Sequence, residues 1–267
     1  MKIGIVGAGK MGSALVKGFL ASKKIRNEDL VVCEVTDKRR KEVEEEFKVK
    51  TASRVDKWVQ SCDIIIIAVK PYDIQKVLND LKMYKEKRII IVSVAAGITI
   101  DKIKKYLPNL PVIRTMPNLA CSVNEGMIAI SASKDAKKNE VKKVKELLGL
   151  TGKVVEIVDE SLMDAVTGLS ASGLAFVYEF IYGLEDAGVW LGIPRELSKV
   201  LAAQTVLGSA KLVLEGKVHL AELRDMVATP AGTTIEGLYV FEKCGFRGII
   251  MEAVKKAFER AKELRKE

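Results

Sequence analysis

Apolar positions along this chain change rhythm near residue 157. Before it, short apolar runs alternate with stretches of helical spacing. Runs at 2–6, 30–35, 63–69, 88–94, 112–115, 126–131 and 153–157 predict strands. The run Asp63-Ile64-Ile65-Ile66-Ile67-Ala68-Val69 is apolar at nearly every position, as a parallel strand covered on both faces must be. Helical spacing at 11–21, 37–47, 72–81, 99–107 and 138–148 fills the intervals. Strands alternating with helices at this spacing predict a doubly wound α/β domain over residues 1–157.

From residue 158 strand patterns give way to helical ones, at 160–169, 173–191, 194–216, 220–227, 234–244 and 246–266. Gly192-Ile193-Pro194 and Gly216-Lys217 are the clearest breaks. The stretch 194–214 is apolar around most of its circumference, so it must be buried on several sides. The all-helical segment 158–267 therefore predicts a core completed by a second copy, as a homodimer or larger symmetric oligomer. A monomeric bundle packed on the first domain satisfies the same pattern.

Bulk composition narrows the function class. The net charge of +9 raises nucleic acid as a partner, but basic residues are interleaved with acids, as in Lys38-Arg39-Arg40-Lys41-Glu42-Val43-Glu44-Glu45-Glu46. That pattern is a solvated helix with i,i+4 pairs, and no nucleic-acid partner is expected. No charge-free apolar run reaches the length of a membrane span, and the apolar start runs straight into glycines without a leader's cleavage site. A cytoplasmic protein with no membrane partner is expected. Cys33, Cys62, Cys121 and Cys244 form no Cys-x-x-Cys pair, and the single His219 has no ligand pattern around it, so neither a metal site nor a disulfide framework is expected.

Gly7-Ala8-Gly9-Lys10-Met11-Gly12 matches G-x-G-x-x-G between the first strand, which ends at Val6, and the first helix. Gly7 permits the tight turn, Gly9 lets backbone approach a pyrophosphate, and Gly12 lets helix and strand pack closely. The helix N-terminus favours the negative charge. This is the fingerprint of a Rossmann-type dinucleotide domain. Glu34, about 20 residues on, suits the hydroxyls of an adenine ribose and repels a 2′-phosphate. It points to NADH. Lys38, Arg39 and Arg40 could grip a 2′-phosphate and keep NADPH open, although their mixed-charge helix reads as solvated surface. Ala68-Val69-Lys70-Pro71 and Ala95-Ala96 end the next strands, where an open sheet faces its ligand. Lys70 is either a phosphate or hydroxyl contact or a surface lysine.

The segment Met226-Val227-Ala228-Thr229-Pro230-Ala231-Gly232-Thr233-Thr234-Ile235 carries the second chemical signal. It presents backbone N–H groups and hydroxyls at a helix start, a place for a small carboxylate. Threonine as a simple helix cap is the alternative. A cofactor turn and an anion cradle, expected to meet within one chain or across two, suggest an oxidoreductase acting on a small acid.

Over its whole length the chain resembles the pyrroline-5-carboxylate reductase family. The resemblance rests on the glycine fingerprint, Ala68-Val69-Lys70-Pro71, Ser93-Val94-Ala95-Ala96-Gly97-Ile98-Thr99, Arg114-Thr115-Met116-Pro117-Asn118, Asp164 to Gly173, Leu223 to Val227, the threonine segment and Gly245-Phe246-Arg247. The family usually has Gly at Ala171 and Ala231, Pro at Leu174, Thr-Pro at Leu119-Ala120, and often Asn at Val55. The resemblance implies a Rossmann-type domain followed by an all-α carboxyl-terminal dimerisation domain. It implies hydride transfer from NAD(P)H, without a metal, to the C=N bond of 1-pyrroline-5-carboxylate, giving L-proline. Asn118 joins the expected cofactor residues. The backbone of Gly232, Thr233 and Thr234, with the Thr229 hydroxyl, would anchor the substrate carboxylate, and Thr234 would contact the ring nitrogen. Ser172 either lines the pocket or belongs to a close-packing helix segment. Two other readings stay open: a β-hydroxyacid dehydrogenase, for which Lys199 and Lys211 lack the expected sequence context, and a non-catalytic NADH-binding protein.

Overall fold

The computed structural model describes residues 1–84 and 88–266, so the last position of the 158–267 segment lies outside the described residues. Eight strands form one sheet: β1 (Ile3–Val6), β2 (Leu30–Cys33), β3 (Lys50–Ala52), β4 (Ile64–Ile67), β5 (Ile90–Ser93), β6 (Val112–Pro117), β7 (Gly126–Ala132) and β8 (Gly152–Glu156). Their order is β3-β2-β1-β4-β5-β6-β7-β8. Each neighbouring pair is parallel except β6 with β7, where Thr115 faces Ile130 in antiparallel register. The strand order reverses between β1 and β4, which makes that junction the switch point where such sheets bind ligands.

The apolar runs explain the layers. Ile64, Ile65, Ile66 and Ile67 of β4 are all 0% exposed. Successive side chains point to opposite faces, so Ile64 and Ile66 join one core and Ile65 and Ile67 the other. The first core is closed by α1 (Lys10–Ala21), α2 (Asp37–Phe47) and α5 (Lys138–Leu148), through Leu15, Phe19, Val43 and Leu147. The second is closed by α3 (Ile74–Lys82) and α4 (Ile100–Lys104), through Leu78, Leu81 and Ile103. Each fully buried Ile or Leu contributes roughly 1.5–3 kcal/mol. β3 escaped the sequence reading because Lys50-Thr51-Ala52 is a short polar edge strand, specified by pairing with β2 rather than by an apolar run.

By compactness the chain divides into Met1 to Ser172, joined by the residues from Lys256 on, and a second unit from Gly173 to Lys255. Within the first unit, α6 (Met163–Val166) runs into a π-helical turn, Thr167–Ala171, in which the Ser172 N–H donates to the Thr167 carbonyl at 2.9 Å. The second unit is helical: α7 (Gly173–Trp190), α8 (Arg195–Glu215), α9 (Leu220–Val227), α10 (Thr233–Lys243) and the start of α11 (Phe246–Lys266). Helices α7 and α8 cross closely at Gly188, where a Cβ would lie 2.1 Å from the Ser198 Oγ. His219 caps α9 by accepting the Ala221 N–H.

Helices Glu160–Trp190 and Arg195–Glu215 are long and apolar enough to cross a membrane by length and composition alone. Neither is free of charge, but each contains an 18-residue window with no more than two charged residues. Large apolar side chains on them are open in the single chain, among them Leu201, Leu212 and Trp190.

Candidate functional site

The glycine turn lies at the carboxyl end of β1, and the fold constrains two of its three glycines. Gly7 has φ +102°, and a Cβ there would come within 2.7 Å of the Ala68 carbonyl oxygen. A Cβ on Gly12 would lie 2.0 Å from the Gly7 carbonyl oxygen. Gly9 is different, because a Cβ there meets nothing within 4 Å. Its freedom is not consumed by the fold, and open space remains over the backbone. Gly9 is also the N-cap of α1, with no side-chain cap and no acidic residue in the first turn. The first turn of α1 thus brings no acidic side chain of its own to its N–H groups, and Glu34 holds the Ala8 N–H just before it. This arrangement fits a dinucleotide pyrophosphate.

Other predicted residues converge on the same strand ends. A Cβ on Gly7 would lie 3.0 Å from Val69 Cγ1, and the Ala68 N–H donates to the Val6 carbonyl at 2.7 Å. Lys70 is exposed, with Pro71 opening a short 3-10 turn. Ala95 is buried, and Ala96 packs on a small cluster of Met116, Ala129 and Met163. Ala171 packs on that same cluster, so the β5 end and the segment leading to Ser172 are neighbours. Asn118, 7% exposed, accepts the Met127 N–H through Oδ1 at 3.2 Å. That bond ties it to the start of β7.

Glu34 follows β2 and is half-buried. One carboxylate oxygen accepts the Ala8 N–H at 3.1 Å, and the other accepts the Thr36 N–H at 2.9 Å. A carboxylate offers about four lone-pair sites, so two acceptor directions remain for hydroxyls. The adjacent Cys33 thiol is pushed up to about 12, by burial first and by the Glu34 charge second. It is a packed thiol, not a nucleophile.

Arg39 and Arg40 depart from the solvated surface expected of them. Arg39 donates from Nε to the Ala8 carbonyl (3.0 Å), from Nη2 to the Ser13 hydroxyl (2.7 Å) and from Nη1 to Glu42 (2.9 Å). Arg40 reaches the Glu34 carbonyl at 3.0 Å and pairs with Asp37. Periodicity places both on a charged helix but carries no information about the turn they reach. Lys38 is exposed, as expected.

A buried ion network lay outside the predicted site. Arg114, 0% exposed on β6, donates to Glu160 at 2.9 Å and to Asp164 at 3.3 Å. Arg265 stands 3.1 Å from the second Asp164 oxygen. Glu160 also accepts the Ile100 N–H, and Lys102 reaches the Arg265 carbonyl. This network fixes the helix that leads into the π turn. An arginine inside an otherwise apolar strand was its sequence signal, because a buried charge requires a partner.

Thr229, Gly232, Thr233 and Thr234 belong to the second unit. The N-cap of α10 is Gly232, with no side-chain cap. The N-cap position is thus a glycine and not one of the threonines. The Gly232 N–H donates to the Thr229 carbonyl at 3.0 Å, and a Cβ on Gly232 would strike the Thr229 Oγ1 at 2.3 Å. Ala231 has φ +56°, a left-handed conformation that favours glycine. Among the described residues, no group of three or more His, Cys, Asp or Glu could hold a metal ion.

Comparison with known proteins gives this geometry a context. Residues 160–264 match the family model for pyrroline-5-carboxylate reductase dimerisation, and residues 2–97 match one described as NADP oxidoreductase, coenzyme F420-dependent. The chain is 39% identical to a pyrroline-5-carboxylate reductase of Synechocystis, over 100% of this chain and 99% of that protein. It is 40% identical to the Methanosarcina acetivorans enzyme, over 99% and 98% of the two chains. The crystal structure of Plasmodium falciparum pyrroline carboxylate reductase with NADP bound is similar at a TM-score of 0.90 and 34% identity, over 99% and 98% of the chains. On this full-length likeness, the chain belongs to the pyrroline-5-carboxylate reductase family.

Proposed function

We propose that this protein reduces the C=N bond of 1-pyrroline-5-carboxylate to give L-proline, the last step of proline synthesis, using NAD(P)H. The observation that carries the reading is full-length similarity to reductases of that name, together with a glycine turn whose central residue leaves its Cβ space open. When bound, the reduced nicotinamide supplies the hydride. The residues from Val6 to Gly12 would hold the pyrophosphate, Glu34 the adenine ribose, and Ala68 to Pro71, Ala95, Ala96 and Asn118 the remainder of the cofactor. NADH is the cofactor the chain favours on this reading, because the two spare acceptor directions of Glu34 suit hydroxyls and its charge opposes a phosphate.

Two tasks fall to the second half of the chain, residues 158–267, as a substrate and dimerisation domain. The N–H groups of Gly232, Thr233 and Thr234 and the Thr229 hydroxyl bind the substrate carboxylate at an uncapped helix start. The Thr234 hydroxyl holds a hydrogen bond at the ring nitrogen, donating to the imine or accepting from the product amine. The nitrogen takes its proton from solvent, or carries it on arrival, while the carbon takes the hydride. Ser172 lies beside the π turn, and such turns often mark functional positions. The open apolar faces of α7 and α8 are covered by a second copy, consistent with the dimerisation family matched over 160–264. Partners are the imino acid and the chain itself, in the cytoplasm, with no membrane or nucleic acid.

The test is Thr234→Ala, assayed by substrate-dependent oxidation of cofactor. Turnover should fall about tenfold or more, the usual range for losing a transition-state hydrogen bond. Turnover equal to wild type removes Thr234 from the mechanism.

A further inference from the structure

The glycine turn is gripped from outside by a side chain that its motif does not contain. Ala8, the residue between the first two glycines, is 1% exposed. Its N–H is held by Glu34, while its carbonyl accepts from both Arg39 Nε and the Ser13 hydroxyl, each at 3.0 Å. Ser13 in turn accepts from Arg39 Nη2 at 2.7 Å. The side edge of the guanidinium, Nε with Nη2, therefore lies against the turn, while Nη1 is engaged by Glu42 at 2.9 Å. That edge is the fork with which arginine reads phosphate or carboxylate in bidentate fashion. Here it already reads a backbone carbonyl and a hydroxyl.

We infer that Arg39 is a positioning residue for the cofactor: it braces the glycine turn through Ala8 and Ser13, and does not discriminate NADPH from NADH by gripping a 2′-phosphate. This rests on the dinucleotide-reductase reading above and deepens it. The turn must hold one backbone path for its amides to aim at a pyrophosphate. Gly7 and Gly9 have no side chains with which to fix that path. Three side chains on a two-sided clamp, Glu34 on the N–H and Arg39 with Ser13 on the carbonyl, supply it instead. The pyrophosphate is common to both cofactors, so a brace must affect them alike, whereas a phosphate grip would affect NADPH alone.

The experiment is equilibrium titration of the full-length protein with NADH and with NADPH, followed by nicotinamide fluorescence, for wild type, Arg39→Met, Arg39→Lys and Ser13→Ala. Arg39→Met should weaken both cofactors by the same factor, about tenfold, as expected for losing hydrogen bonds from a charged donor. Arg39→Lys, which keeps one donor for the Ala8 carbonyl, should recover part of this. Ser13→Ala should weaken both about threefold, and it carries the test should Arg39→Met fail to fold. In turnover, the cofactor KM should rise while kcat at saturation holds, a split that general loss of stability would not produce. Weakened NADPH with unchanged NADH would overturn the inference, as would unchanged affinity for both or a lysine variant no better than methionine. Wild-type protein that binds NADH but never reduces the imino acid would count against the substrate reading alone.

Discussion

Replacing Arg114 by methionine removes a charge from the interior while keeping a side chain of similar length. The arginine is 0% exposed and makes two charged bonds, to Glu160 at 2.9 Å and to Asp164 at 3.3 Å. Its loss does not leave both carboxylates equally stranded. Glu160 is 26% exposed and keeps the Ile100 N–H, so water and backbone still serve it. Asp164 is 1% exposed and, among the described residues, keeps Arg265 as its charged partner, at 3.1 Å. Breaking a buried pair from one side costs about 3–5 kcal/mol. With the residual partner, the lower end, about 3 kcal/mol, is expected. At about 2–4 °C per kcal/mol for a domain of this size, the melting temperature should fall by about 6–12 °C at fixed protein concentration. Adding Asp164→Leu removes the stranded charge, so the double variant should lose less than the two single losses added together, by at least about 1 kcal/mol. Denaturant unfolding of the four proteins measures this cycle. A loss within about 0.5 kcal/mol of wild type for Arg114→Met, or strict additivity, would refute the network's structural role.

Two further outcomes are expected. Ala231→Gly should stabilise the protein by about 1 kcal/mol, because φ +56° strains any residue with a Cβ; an unchanged or lowered denaturation midpoint contradicts that strain. Glu34→Ser should raise the NADPH-to-NADH ratio of kcat/KM by about tenfold, since on the proposed reading it removes the charge that opposes a phosphate; a ratio that stays put denies Glu34 the discriminating role.

Much of the first domain was legible because its physics is local. Four consecutive β-branched isoleucines in a run of strand length favour a strand covered on both faces, and a glycine fingerprint between strand and helix has few other uses. β3 was not legible, since three residues with a single small apolar side chain carry no periodic signal. Neither was the antiparallel run of β7, because strand direction is set by tertiary pairing. The candidate site divides the same way. Spacing alone singles out Gly7, Gly9, Gly12 and Glu34 as candidates. It does not single out Arg39, whose contacts with Ala8 and Ser13 join α2 to residues far from it in sequence. The left-handed Ala231 was visible only as a departure from the family's glycine; its backbone angle supplies the reason.

Isotope transfer follows the hydride itself. Cofactor deuterated at the transferable position of its nicotinamide is incubated with the protein and 1-pyrroline-5-carboxylate, and the product is analysed by mass spectrometry. The expected product is L-proline carrying one deuterium, on the ring carbon that adjoins nitrogen and does not bear the carboxylate. Proline free of deuterium, or oxidation of the cofactor with no proline formed, would contradict it.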